Sequence, residues 1–173
     1  MWFFALIGGS INVEKRDLYD KNKNVTGKTI FKDDPIPTHY YELIVVIFIE
    51  NDEGKFLIQR TSQEKGHKLS STGGHPIHGQ SSLDGIIMEV QEELGYTLAK
   101  EDVQYVVTVT RNKHIVDLYY TKQNINIEDL VLQASEVESV TWLTREEIEE
   151  FINNKEFQKS HGKLFHELIK YLD

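Results

Sequence analysis

Apolar and polar positions sort the chain into short blocks. Leu43 to Ile49, LIVVIFI, is an unbroken apolar run rich in β-branched residues, the pattern of a strand buried on both faces. NDEG follows as a turn, and Phe56 to Arg60, FLIQR, reads as the returning strand. Val103 to Val109 and Ile115 to Tyr120 read as a strand pair, and Val137 to Trp142 as a late strand with Trp142 in the core. Leu83, Ile86, Ile87, Val90 and Leu94 recur at helical spacing, which predicts a helix over 83–94. Ser81 or Ser82 supplies its N-cap and Gly95 its C-terminal stop. Thr144 with Glu147 forms a capping-box pattern that opens a second helix. Leu164, Phe165, Leu168, Ile169 and Leu172 mark a last, amphipathic helix.

Between these blocks lie polar segments. Asp17 to Thr29, DLYDKNKNVTGKT, has the turn chemistry of a small hairpin. Pro35 and Pro37 make the next segment extended and irregular. Residues 68–80, rich in Gly, Ser and His, read as a loop. The apolar start, MWFFALIGGS, is too short to span a bilayer. An edge strand, an interface segment or an artefact of the chosen start codon all account for it. The order of strands and helices predicts a single α/β layered domain over 1–173, with 1–30 as an N-terminal strand and hairpin extension.

Charge narrows the functions. The net charge is −9, which argues against nucleic-acid polymers and anionic membranes. A phosphorylated small molecule stays open, because a bound divalent cation inverts the local field. The absence of cysteine excludes disulfides, thiolate metal sites and a cysteine nucleophile, and is compatible with a cytoplasmic setting.

The 83–94 helix carries the chemistry. Glu89, Glu92 and Glu93 fall together on one face, at i, i+3 and i+4. Carboxylates so placed repel one another, and they sit toward the negative end of the helix dipole. Two readings stand: a solvated acidic face, or a seat for a hard divalent cation such as Mg²⁺. The preceding loop favours the second. Gly73, Gly74 and Gly79 allow close approach of the backbone to a ligand, and His75 and His78 offer metal or phosphate contacts. Arg60 is a candidate contact for a substrate phosphate, and Glu136 for an extra metal ligand or general base. Arg111, His114 and Asp117 fit a solvated hairpin better than a substrate surface. Tyr40 and Tyr41 fit core or rim better than base stacking.

Gly74 to Tyr96, GHPIHGQSSLDGIIMEVQEELGY, resembles the Nudix box: Gly, five residues, Glu, seven residues, Arg-Glu, an aliphatic, any residue, Glu-Glu, any residue, Gly and an apolar residue. Gly74, Glu89, Val90, Glu92, Glu93, Gly95 and Tyr96 match. Gln80 stands where Glu is expected and Met88 where Arg is expected. The hairpin segment and Gly74-His75-Pro76 resemble the isopentenyl-diphosphate isomerase-like branch. The resemblance implies an α/β/α sandwich with a mixed sheet. It implies Mg²⁺- or Mn²⁺-dependent hydrolysis of a small nucleoside-diphosphate-like or other organic diphosphate. Metal would be held by Glu89, Glu92, Glu93 and the Gly74 carbonyl, with a glutamate assisting the attacking water. His75 matches a metal-binding histidine of the isomerase. Gly73 stands where that enzyme carries its catalytic cysteine, so isomerase chemistry is disfavoured.

In the family, the box Arg and the upstream Glu often pair across loop and helix. Here both are neutral, and Met88 is expected to pack against the loop instead. The loss of that pair leaves a second expectation, a non-catalytic Nudix-fold binding module. Homodimerisation through the apolar N-terminus and the last helix is a further expectation.

Overall fold

A computed structural model of the chain describes residues 13–173, so the N-terminal strand considered within residues 1–10 lies outside the described residues. Its spine is β3, Tyr41–Glu50. Val45 to Ile49 are almost wholly buried, as the continuous apolar run predicts. Alternation sends successive side chains into two different cores. Val46 and Phe48 join Phe56, Ile58, Leu118 and Phe165 beneath α2 (Arg145–Asn153) and α3 (Lys159–Leu172). Val45, Ile47 and Ile49 join Leu57, Ile86, Val90 and Leu94 beneath α1, Ser82–Leu94. The result is the expected α/β/α sandwich around a mixed sheet.

The two edges of β3 are used differently. Along one runs β8, His114–Lys122, parallel and in register from Glu42 to Glu50, itself paired with β7, Gln104–Arg111. The other edge passes through three partners in turn. β1 (Lys15–Tyr19) meets it at Tyr41 and Glu42. β6 (Thr72–Gly74) meets it from Val45 to Ile47. β4 (Phe56–Thr61) touches it only at Glu50. β4 then splays away to pair with β9, Val137–Leu143, and with β5, Leu69–Ser70.

Segment 68–80 is therefore not all loop: β5 and β6 fill the gap that opens between β3 and β4. The strands there are only two and three residues long, so no period marks them. The N-terminal hairpin forms as expected, β1 with β2 (Val25–Phe31), and through β1 it joins the main sheet. The capping box at Thr144 and Glu147 is present. The last helix starts earlier than the apolar pattern marks, at Lys159, because its polar first turn carries no stripe.

Candidate functional site

α1 is built as its sequence dictates. Ser81 is the N-cap and accepts from Asp84 N at 3.0 Å. Gly95 closes the helix in the left-handed region, φ +66°. Ile86, Val90 and Leu94 are buried, with Leu83 and Ile87 partly so. That packing fixes the rotation of the helix and turns its glutamates toward a cleft of about 940 Å³.

The cleft brings together most of the expected site. Glu89, Glu92, Glu93, Glu136, Gly73, Gly74 and His75 all line it. Glu93 is only 6% exposed. Its Oε2 accepts from Gln59 Nε2 at 3.1 Å, and Gln59 Oε1 accepts from Thr72 Oγ1 at 3.1 Å. Burial pushes the Glu93 carboxyl up to about 7, against the hydrogen bond from Gln59 and with the added charges of Glu136 and Glu92. Glu89 is pushed up to about 8 by burial, then by Glu93 and Glu92. Buried Glu93 and partly buried Glu89 thus share one field. Glu136 lies 3.1 Å from Lys65 Nζ, the cation that offsets part of it.

Two glycines are demanded by close approach. A side chain at Gly74 would begin 2.2 Å from the Glu89 carboxyl, and one at Gly73 would begin 2.5 Å from the Val45 carbonyl. Gly73, where the isomerase branch carries cysteine, is therefore a place where strands cross too tightly for any side chain.

His75 is neutral near pH 7: burial and the neighbouring Arg16 charge lower it to about 4, against the pull of Glu42. Its Nε2 lies 3.6 Å from Glu42 Oε2. Arg16 is held in the cleft wall between Glu42 Oε1 at 2.6 Å and Glu14 Oε1 at 2.8 Å.

Other expectations fall outside the cleft. Arg60 points to the opposite face of β4 from Gln59 and donates to the His67 carbonyl at 3.2 Å. Met88 lines the cleft and is 43% exposed. Asp117 is not on a solvated hairpin but fully buried, accepting from Ser82 Oγ and Thr108 Oγ1 and paired with Lys23. Its position in the centre of β8 brings it under the start of α1. His114 lies 3.7 Å from Glu42. Tyr41 and Trp142 pack against the core, and Tyr40 faces Lys28.

Sequence reasoning missed Gln59, Asp17, Arg16 and Glu42. Each is a polar residue inside a strand, and alternation alone does not separate a cleft-facing polar side chain from a solvated one.

Among the described residues, no group of three His, Cys, Asp or Glu side chains is already placed to hold a metal ion. The donor set still suits a hard cation. It offers carboxylates on one helix face, two of them driven toward protonation by burial, with the Gly74 backbone pressed against Glu89. Mg²⁺ commonly takes one or two carboxylates and completes its shell with water and substrate phosphates.

The NUDIX domain family matches residues 40–168, and the chain belongs to the Nudix family. With that membership goes the enzyme class, a hydrolase acting on pyrophosphate bonds, and Nudix hydrolases generally use divalent metal ions. An uncharacterized Nudix hydrolase of Listeria monocytogenes is 27% identical over 149 residues, covering 84% of this chain and 88% of that protein. A Deinococcus radiodurans crystal structure superposes with a TM-score of 0.69 at 21% identity, over 83% of this chain and 91% of that one. The NUDIX domain of Shewanella oneidensis NrtR, solved with ADP ribose, gives 0.61 at 14% identity, over 77% and 89%. The two solved structures share the fold. Among the described residues, no helix is long and apolar enough to cross a membrane.

Proposed function

We propose that the chain is a metal-dependent Nudix hydrolase that cleaves the pyrophosphate linkage of a small organic diphosphate, nucleoside diphosphate derivatives first among them. One observation carries this reading: Glu93, buried, and Glu89, partly buried one turn before it on α1, both line the cleft, each driven toward protonation by desolvation and by its acidic neighbours. A fold that only needed an acidic surface would leave these carboxylates in water.

Glu89, Glu92, Glu93 and the Gly74 carbonyl would hold Mg²⁺ or Mn²⁺. When bound, such an ion shares its charge with the phosphate oxygens and lowers the pKa of coordinated water. The chain's own residues do the rest. Gln59 fixes the Glu93 carboxylate in orientation. Glu93 or Glu92 takes the proton of the attacking water, and Glu136 is the second candidate base, with Lys65 beside it. Neutral His75 has an N–H to give a phosphate oxygen without adding charge. Gly73 leaves the cleft wall free of a side chain. No cysteine is available for isomerase chemistry.

The experiment is a calorimetric titration with Mn²⁺ alone, then with ADP-ribose as a representative diphosphate. Wild-type protein should bind Mn²⁺, and the Glu92→Gln/Glu93→Gln variant should not. Ligand binding that ignores both the metal and the two glutamates would instead establish a non-catalytic binding module.

A further inference from the structure

We propose that the N-terminal hairpin positions the glutamate face, with Asp17 doing the work that the Nudix box elsewhere gives to its Glu–Arg pair. The proposal rests on the hydrolase reading above.

Neither departure from the box can form the family's ion pair. Gln80 turns back into its own loop, where its Oε1 accepts from Ile77 N at 3.0 Å. Met88 stands exposed on the cleft rim. The join between loop and helix must come from elsewhere.

It comes from β1. Asp17 is 7% exposed. Its Oδ1 lies 2.7 Å from His78 Nδ1, and its Oδ2 accepts from Gly79 N at 2.9 Å. The carbonyl of Lys15 accepts from His78 N at 2.7 Å. One carboxylate thus grips two consecutive loop residues at the point where Gly79, with φ +82°, turns the chain toward α1. Topology makes this reach possible. β1 and β6 lie in succession along the same edge of β3, so the segment leaving β6 passes directly beside β1.

A second grip acts on the helix itself. Lys23, at the hairpin turn, lies 2.5 Å from Asp117 Oδ2. The same oxygen accepts from Ser82 Oγ, the first residue of α1, at 2.5 Å. The turn that presents Lys23 is itself pinned: Asp20 Oδ1 accepts from Asn22 N and Asn24 N. Glu89 lies about two turns along the same rigid helix from Ser82. Loop and helix start both answer to the hairpin, and the glutamates follow the helix. The family match begins only at residue 40, so this clamp comes from outside the matched domain.

The test compares Asp17→Ala with wild type in three readouts: calorimetric Mn²⁺ affinity, hydrogen exchange of the Gly79 amide, and rescue. Asp17→Ala should keep its helical circular dichroism, exchange Gly79 faster, and lose roughly 10–100-fold in Mn²⁺ affinity. Adding Gln80→Glu and Met88→Arg to it, which rebuilds the box pair, should recover most of that loss. Thr26→Val, which removes a hairpin hydrogen bond to the Leu18 carbonyl but touches neither loop nor helix, should leave affinity unchanged. If Asp17→Ala does not fold, Asp17→Asn keeps an acceptor for Gly79 while giving up the charge facing His78, and should show a smaller loss in the same direction. A folded Asp17→Ala with wild-type affinity and wild-type Gly79 exchange would overturn the proposal. So would a triple variant no better than Asp17→Ala. Wild-type protein that binds no Mn²⁺ would overturn the hydrolase reading and this one with it, whereas normal wild-type binding with an unaltered Asp17→Ala overturns this one alone.

Discussion

Gln59 hydrogen-bonds Glu93 with its amide nitrogen and Thr72 with its amide oxygen, and so ties α1 to two strands through one side chain. The bond to Glu93 favours the ionised carboxylate against the burial that opposes it. Gln59→Leu removes both bonds and leaves Glu93 and Thr72 without partners. Activity should fall roughly 10–100-fold, as when a partner that orients a ligand is removed. Stability should fall by about 1–3 kcal/mol, the cost of unsatisfied buried polar groups. Steady-state kinetics and urea unfolding check the two separately.

Gly73 and Gly74 should respond differently to alanine. At Gly73 the new methyl meets the Val45 carbonyl, which is backbone and cannot swing away. Gly73→Ala is expected to cost about 1–3 kcal/mol, as overpacking does, and to show in the unfolding midpoint. At Gly74 the methyl meets the Glu89 carboxyl, the far end of a flexible side chain. Gly74→Ala should stay folded while displacing Glu89, and its signature is weakened Mn²⁺ binding with a nearly unchanged midpoint.

Stability of the metal-free protein should fall as pH rises. An unfolded glutamate titrates near 4.5, whereas folded Glu93 and Glu89 titrate near about 7 and about 8. Between those values the fold holds protons that the unfolded chain has released. The stability that these carboxyls contribute is therefore complete below pH 4.5 and lost progressively up to about 8. A divalent ion should restore it where both are ionised, by about 2.7 kcal/mol at a hundredfold excess over Kd. Thermal melts with EDTA and with Mg²⁺ should diverge most toward pH 8. Glu89→Gln should flatten the metal-free curve.

His161 should act in the opposite direction. It sits at the start of α3 with Nδ1 2.8 Å from Ser71 Oγ, and burial lowers it to about 4. Its ordinary value is 6.5, so as pH falls from 6.5 toward 4 the unfolded chain takes up a proton that the fold refuses. The stability it contributes is present above 6.5 and lost through that window. His161→Gln should remove this acid sensitivity in urea unfolding compared at pH 7 and pH 5.

Much of this was legible in the sequence because the signals were periodic. The apolar run of β3, the helical stripe of α1 and the Thr144 capping box each rest on local patterns that tertiary contacts reinforce. The same stripe fixed the rotation of α1, so the glutamate face followed from the core face. What remained hidden depends on strands meeting far apart in sequence. β5 and β6 are too short to carry a period, and only the splaying of β3 from β4 creates their place. Asp17 looked like a hairpin residue because its partners lie 61 and 62 positions away. Arg60 looked like a cleft residue because its neighbour Gln59, one step along the same strand, is the one that faces Glu93. A one-residue step in a strand reverses the side-chain direction, and composition does not tell which step faces the cleft.

Turnover is the decisive measurement for a metal-dependent hydrolase. Wild-type protein and Glu92→Gln/Glu93→Gln should be incubated with Mg²⁺ and with Mn²⁺ against nucleoside diphosphate derivatives, dinucleotides and isoprenoid diphosphates, with products followed by phosphorus NMR. Wild type should split at least one pyrophosphate linkage into two phosphorylated products, only with metal, and the double variant should not. A folded wild-type protein that turns over none of them with either metal, or a double variant as active as wild type, would contradict the hydrolase reading.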